Sequence, residues 1–424
     1  MQFHPHRSSL HNEVHARPPE PLRAPVLVSH WVMWLHPEDK PAAHAHLKTL
    51  LDAHHLSTDV QATHVRADLG AFRLRWEMHT EFVSLTVMRD WPDAMGAVHS
   101  PLPTAKDVVP AEWLSAMPGQ CLCAMHLTAL HEAAETLASA VRASFQEASL
   151  SGSSVADGQA VVLADFALQA DGFTQTLVLV RDLTPRRLGR LIQRLIEIET
   201  YRMAALVGLP VARESGALIA RGELELADLA LAIRNASVQD ESQLLDRLTR
   251  LAAEVEGHYA STHSRFSASN AYFDLVRQRI SDLAEVRLAG MQSIKDFMDR
   301  RLSPAMNTCA WAMRRQQGLS ERISRTSNLL RTRVEIEQQE DNQVLLQTMN
   351  QRQGLQLKLQ STVEGLSVAA ITYYMAGLVG YLAKGAKSLG WPLNPDVSMA
   401  ISVPVIALGV WWFLRRLHRR LSLD

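Results

Sequence analysis

The sequence predicts an α+β protein: a mixed α/β N-terminal cytoplasmic domain, a long helical stalk and two C-terminal transmembrane helices. Three observations predict it. Two apolar runs without a charge, "LSVAAITYYMAGLVGYL" (366–382) and "VSMAISVPVIALGVWWFL" (397–414), close the chain. Between residues 23 and about 182, runs of strand character alternate with runs of helix character. From about residue 185 onward the pattern is helical throughout.

Taken in order, residues 1–22 form an arm, "MQFHPHRSSLHNEVHARPPEPL". It lacks the apolar core region of a signal peptide, and Pro18 and Pro19 keep its end extended. The α/β domain is placed at 23–184. Its strands are "PVLVSHWVMWL", "FRLRWEMHTEFVSLTVMR", "CLCAMHLTAL", "AVVLADFAL" and "TQTLVLVRD", rich in β-branched and aromatic residues and bounded by Gly, Pro or Asp. "PAAHAHLKTLLDAHH" and "HEAAETLASAVRASFQEA" read as amphipathic helices, and "LSGSSVADGQ" as a small-residue loop.

The helical region is placed at 185–316. Leu188, Leu191, Ile192, Leu195 and Ile198 share one face of its first helix, with Gly208 and Pro210 as stop signals. Further helices cover "GALIARGELELADLALAIRN", "ESQLLDRLTRLAAEVEGHYAST" and the long run from Ser269, which Pro304 is expected to interrupt. A stalk helix at 317–363 follows, about 65 Å long at 1.5 Å per residue, and such a helix needs partners along its length.

Both apolar runs sit at the short end of the roughly 17–25 residues that span a bilayer. Two side by side, with Tyr373, Tyr374, Tyr381, Trp391, Trp411 and Trp412 in or beside them, read as spans at 364–384 and 397–414. The connector is 385–396 and the basic tail 415–424. Pro404 is tolerated in a membrane helix more readily than in a soluble one. Arg415, Arg416, Arg419 and Arg420 place the tail in the cytoplasm by the positive-inside rule, and two spans return the chain to one side. The expected location is therefore the bacterial inner membrane with both termini cytoplasmic and lipid as a partner. A reducing cytoplasm also fits three cysteines, Cys121, Cys123 and Cys309, too few for a disulfide framework.

Composition excludes several functions. A net charge of −1 gives no support to nucleic-acid binding. No Gly-x-Ser-x-Gly elbow, P-loop, dinucleotide fingerprint or Cys-x-x-Cys occurs, so neither an enzyme nor a cofactor is expected. Of 18 histidines, 15 precede residue 132. The pairs His4/His6, His44/His46 and His54/His55 lack the three or four rigidly held ligands of a zinc site and are read as surface residues.

Glu77, His79 and Glu81 alternate, so on one strand they share a face with Arg75 beside them. The arm repeats the rhythm in Glu13, His15 and Arg17. The two triplets fit either a metal or small anionic site at His15, Glu77, His79 and Glu81, or an ion-paired latch of the arm on the strand. Arg17 and Arg75 favour the latch, since they neutralise both carboxylates without a metal. Farther on, Gln339, Gln343, Gln347 and Gln351 stand four apart along the stalk, able to line an axial channel, to bond packed helices or to face solvent. In the first span Ser367, Thr372, Tyr374 and Tyr381 are the polar groups able to replace part of an ion's hydration shell. Gly365, Ala369, Ala376 and Gly380 allow close helix approach, which points to a homo-oligomer with first spans about an axis.

"NEVHARPPEPL", "LRWEMHTEF", "ETYRMAALVGLP" and "STVEGLSVAAITYYMAGLVGYLAKG" resemble an uncharacterised bacterial family of membrane-anchored proteins, domain of unknown function 3422. That resemblance covers nearly the whole chain and implies a membrane anchor without an activity. The order of parts also resembles the CorA-type divalent-cation transporters, which implies a pentamer with the first span lining a pore. Their Gly-Met-Asn signature is absent, since the corresponding place reads "GLVGYLAKGAKS", and the connector carries Lys384 and Lys387 against one Asp396. Such a connector repels divalent cations rather than gathering them. Two functions remain: an oligomer that passes or senses an ion, or a membrane-anchored assembly protein whose cytoplasmic domain binds a partner.

Overall fold

The computed structural model describes residues 3–7, 10–11, 18–57, 62–92, 103–143, 145–237, 240–390, 392 and 394–421. The chain divides into two compact units, Met1–Ser327 and Asn328–Asp424.

The first unit is built on a nine-stranded sheet in the order β2-β3-β4-β1-β5-β8-β7-β6-β9. Its strands are β1 (Val26–Trp34), β2 (His64–Asp68), β3 (Arg73–Met78), β4 (Phe82–Asp90), β5 (Gln120–His131), β6 (Ser151–Val155), β7 (Ala160–Ala164), β8 (Thr174–Val180) and β9 (Val286–Arg287). Only β5 and β8 pair parallel; the other ladders are antiparallel. Two expectations change here. The run from Phe72 to Arg89 is a hairpin rather than one strand, because His79, Thr80 and Glu81 form the turn between β3 and β4. The small-residue run from Leu150 holds strand β6, whose Ser151, Gly152 and Ser153 are buried. Small side chains are what this strand needs: a Cβ on Gly152 would lie 2.8 Å from Leu163 and Met291.

Helices cover both faces. On one side lie α1 (Lys40–Ala53), the short α2 (Ala111–Ser115) and α3 (Glu135–Arg142). Leu47, Leu50 and Leu51 of α1 pack on Leu27, Trp31, Leu74 and Leu85, while Val141 of α3 packs on Leu130 and Leu177. The other face receives α4 (Pro185–Leu206) through Leu188, Leu191, Ile192, Leu195 and Ile198, the five residues whose spacing predicted one face. Burying each contributes about 1.5–3 kcal/mol, which makes α4 the main brace of the sheet.

Gly208 and Pro210 do not end the helical path. They open α5 (Gly208–Asn235), after a break at Val207 alone. Proline is tolerated there because the first turn has no intrahelical acceptors for its N–H groups. α5 packs with α6 (Glu241–Asp282) and the start of α7 (Ile294–Ser388); a Cβ on Gly222 would lie 2.9 Å from Leu319. The stalk helix therefore begins at Ile294 rather than near Gly318, and Pro304 lies inside it. Strand β9 is the exception to the all-helical reading beyond residue 185. The helices of 185–316 share a core with the sheet of 23–184.

The second unit holds the remainder of α7 and helix α8 (Pro395–Leu421), which contains Pro404. Mixed α+β architecture with long C-terminal helices is thus the observed fold.

Candidate functional site

The sheet's outer strands bring charge into the interior. Arg66 of β2 and Arg75 of β3 are direct cross-strand partners, and the same lateral row continues through Thr86 of β4 to His30 of β1. The next row pairs His64 with Glu77. Strand alternation puts Arg73, Arg75 and Glu77 on one face, with Leu74 and Trp76 in the apolar core behind them.

Arg75 Nη2 donates to Glu77 Oε1 at 2.8 Å, and His64 Nε2 lies 3.7 Å from the same oxygen. Burial alone would raise the Glu77 carboxyl, but Arg75, aided by His79 and His64, brings it below the usual carboxylate value. Burial lowers Arg66, and the neighbouring Arg75 lowers it further. His30 has its Nδ1 2.9 Å from Thr86 Oγ1 and its Nε2 3.0 Å from Thr200 Oγ1. Complete burial drives it down to about 3, so it stays neutral at pH 7.

Pro18–Leu22 lies along this edge. Arg66 donates to the Pro18 carbonyl, Arg73 Nη1 donates to Glu20 Oε1 at 3.2 Å, and the Leu22 N–H donates to the Pro185 carbonyl at 3.0 Å. Gly189 of α4 makes room for this segment, since a Cβ there would collide with the Glu20 carbonyl. Beneath it is a chamber of about 40 Å³ lined by Glu20, Arg75, Glu77, Thr86, Gln193 and Glu197 among others. Arg279 of α6 pairs with Glu197 at its rim.

The expected triplet is dispersed. Glu77 faces the chamber, while the turn carries Glu81 to the helices. There Arg265 binds it at 2.5 and 3.1 Å and the Tyr272 hydroxyl donates at 2.9 Å. His79 stacks on Phe82, ring centroids 4.4 Å apart. A hairpin turn breaks the alternation on which a shared face depended. Glu13, His15 and Arg17 lie outside the described residues, and so does the interfacial candidate Trp391. Among the described residues no group of three or more His, Cys, Asp or Glu is arranged to hold a metal ion.

Another triad stands on the opposite sheet face. Ser29 Oγ is 2.8 Å from His126 Nδ1, and Asp171 Oδ2 is 3.3 Å from Nε2. Serine, histidine and aspartate in that order can generate a nucleophile. Here Ser29 is fully buried, its oxygen already accepts the Lys106 N–H at 3.0 Å, and His126 lies flat on Phe173. With no access for a substrate, the three form a structural network.

In the second unit, beyond Leu330, Thr372, Ala376, Gly380 and Ala383 are the buried positions of α7. A Cβ on Gly380 would lie 3.2 Å from Met399 of α8, so part of the small-residue stripe is taken by the second helix of the same chain. Thr372 faces that way too and leaves the expected polar set. Ser367, Tyr374 and Tyr381, seven apart, remain on an exposed face, the tyrosines 74% and 77% accessible. Gln339, Gln343, Gln347 and Gln351 are exposed. From Gln347 to Tyr374 a continuous helix makes about seven and a half turns, so these side chains leave on opposite sides. A groove of about 500 Å³ lies between the ends of α7 and α8, lined by Tyr373, Tyr374, Tyr381, Lys384, Asp396 and Met399 among others.

The family model described as "Protein of unknown function (DUF3422)" matches residues 2–421. The chain belongs to the DUF3422 family. No curated protein and no solved structure matches it. Two of the four stretches that carried the resemblance meet at the chamber of this DUF3422 chain, the end of the arm and β3, and α4 lines it within the three turns before its own stretch begins at Glu199. Sequence reasoning found Glu77 and Arg75 but missed Arg66, Arg73, Glu20, Gln193, Glu197 and Arg279. The alternation of charge with apolar residues in "VRAD" and "RLRWEM" was the available signal for the first two.

Proposed function

We propose that this DUF3422 chain is an integral inner-membrane protein with both ends in the cytoplasm. Copies associate through their first spans into a membrane-bound assembly whose N-terminal unit engages a ligand or partner. One observation carries the reading: no residue of the apolar stretch of α8 from Val397 to Phe413 is buried within the chain. Monomeric soluble proteins rarely leave so large an apolar surface in water, whereas lipid tails cover it without cost. The 185–235 helices are also long and apolar enough to cross a membrane, but their apolar face packs in the first unit's core. Arg415 and Arg416 lie over Trp411 and Trp412, the arrangement of a span end at a membrane interface.

A second reading, ion passage on a CorA-like scaffold, draws support from the heptad spacing of Ser367, Tyr374 and Tyr381 on one exposed face. That face has no charge and no Gly-Met-Asn filter, so any ion it passes is monovalent or keeps its water. Carbonate washing tests the anchor, since release of the protein from membranes would refute it. Native mass spectrometry in detergent gives the number of copies, with a pentamer expected on the CorA-like reading and a monomer ruling out the assembly. Flux in reconstituted liposomes separates the two functions: Mg²⁺ flux equal to that of a CorA-type control overturns the selectivity claim, and no flux of any ion leaves the assembly reading.

A further inference from the structure

We propose that the chamber beneath the arm binds a small oxyanion, of the size of bicarbonate, acetate or phosphate. Arg75 is its principal ligand, Arg66 and Arg73 hold the arm segment over it, and the Glu20 carboxylate competes for the same site from within the chain.

Arg75 has unspent hydrogen-bonding capacity. Its side chain is 9% exposed, and Nη2 serves Glu77, but Nε is buried without an acceptor among the described residues. An interior donor left unsatisfied is costly, more so on a charged group. The free space beside it supplies room for a partner. About 40 Å³ accommodates roughly three water molecules at 10–15 Å³ each, the bulk of a four- or five-atom ion. Met88, Ile192 and Ile196 close the walls, which excludes anything as large as a nucleotide.

Charge favours an anion. Arg66 and Arg75 face each other across β2 and β3, and like charges directly opposite are destabilising unless something negative lies between them. Four arginines, at 66, 73, 75 and 279, stand with three carboxylates about the chamber, at 20, 77 and 197, while Asp90 and Asp282 pair with Arg73 and Arg279 from more exposed positions. Glu77 is held by Arg75 and His64, and Glu197 by Arg279. Glu20 alone comes from the arm, and Arg73 holds it. When Glu20 withdraws, Arg73 keeps only the exposed Asp90 as a carboxylate partner among the described residues while Arg75 Nε stays open, and an incoming oxyanion takes the place of the departed carboxylate. Gly189 sets how closely the arm can sit, so the competitor's position depends on a residue without a side chain.

The test uses the full-length protein in detergent, titrated calorimetrically with sodium phosphate, bicarbonate and acetate at constant ionic strength, with chloride as control. At least one of the three is expected to bind saturably, one per chain. Glu20→Gln removes the competing charge and should tighten binding at least about fivefold, the lower range of measured couplings between sites. Gly189→Ala lifts the arm and should act in the same direction. Arg75→Gln should abolish the binding; if that variant does not fold, Glu20→Gln and Gly189→Ala still decide. Absence of saturable binding in both wild type and Glu20→Gln overturns the proposal. So does an affinity that Glu20→Gln leaves unchanged, or binding that survives in folded Arg75→Gln.

Discussion

Glu199→Gln is the sharpest test of how α4 is fixed to the sheet. Glu199 is 2% exposed; it accepts from Arg202 Nη2 at 2.6 Å, from Arg202 Nε at 3.1 Å and from the Thr174 hydroxyl of β8 at 3.1 Å. Glutamine keeps the shape but not the charge, and leaves the Arg202 guanidinium in the interior without a counter-ion. Breaking a buried pair from one side costs about 3–5 kcal/mol. The unit concerned has 327 residues, Met1–Ser327. At about 2.1 cal/mol/K per residue its unfolding entropy is near 0.7 kcal/mol/K, so the melting temperature should fall by about 4–7 °C. Scanning fluorimetry of the detergent-purified protein measures it. The double substitution Glu199→Leu with Arg202→Met should recover most of the loss, since apolar replacement of a whole buried pair is often neutral. A fall under about 1.5 °C for the single variant would show that water reaches Arg202 and that the pair is not buried in the sense required.

Two buried histidines make stability depend on acid. Burial, ahead of the opposing pull of Glu77 on His30 and Asp171 on His126, lowers His30 to about 3 and His126 to about 4. Both are neutral when folded and protonate near 6.5 when unfolded. Stability is therefore complete above pH 6.5 and falls by up to about 1.4 kcal/mol per pH unit per histidine from there to about pH 4. Denaturant titrations across that range should lose about half the slope in His30→Gln. Glu81→Gln removes charge-assisted hydrogen bonds from Arg265 and Tyr272, costing about 1.5–3 kcal/mol; hydrogen exchange should accelerate at the β3–β4 turn before the rest of the sheet, and uniform acceleration would count against a local latch. Cysteines at Tyr374 and at Tyr381 should cross-link between copies under one set of oxidising conditions, and a cysteine at Gln347 should not. Equal cross-linking at Gln347 would mean that the helix departs from α-helical phase between the two positions.

What could be read from sequence was whatever depends on periodicity. α1 and α4 announce themselves by the spacing of their apolar residues, and β1, β5, β7 and β8 as runs of β-branched and apolar residues buried on both faces of the sheet. β6 did not, since four of the five residues in "SGSSV" are serine or glycine; it is a strand because β7 and β9 pair with it and Met291 fills the space over Gly152. β9 is two residues long, too short for any periodic signal, and β2 offers only the brief alternation of "VRAD". Pro304 misled because proline removes only one hydrogen bond, a loss of about 3 kcal/mol that a helix of 95 residues packed over its first turns can absorb. For the site, Glu77 and Arg75 were legible as neighbours on a strand. Arg279 was not, because nothing local links residue 279 to residue 197. The dispersal of Glu77, His79 and Glu81 came from a three-residue turn that contains neither Gly nor Pro, the residues that usually mark one.

The charges in the first unit and the apolar surface in the second call for partners of opposite kinds. An ion pair buried in a sheet adds little net stability, because desolvation of both groups consumes most of their attraction. A sheet already braced by Leu188, Leu191, Ile192, Leu195 and Ile198 does not need Arg66 and Arg75 abreast on its outer strands, with Arg73 two residues along, in order to fold. Arranging them there, with a guanidinium nitrogen unsatisfied among the described residues and space left beside it, disfavours the empty state relative to one in which an anion is present. The Glu20 carboxylate supplies a negative charge at Arg73 but leaves Arg75 Nε unanswered. A competitor that satisfies only part of a site is displaced more easily than one that fills it. Anion binding and withdrawal of Glu20 are therefore linked, and the linkage is reciprocal: whatever pulls the arm away must raise anion affinity by the factor with which the anion releases the arm.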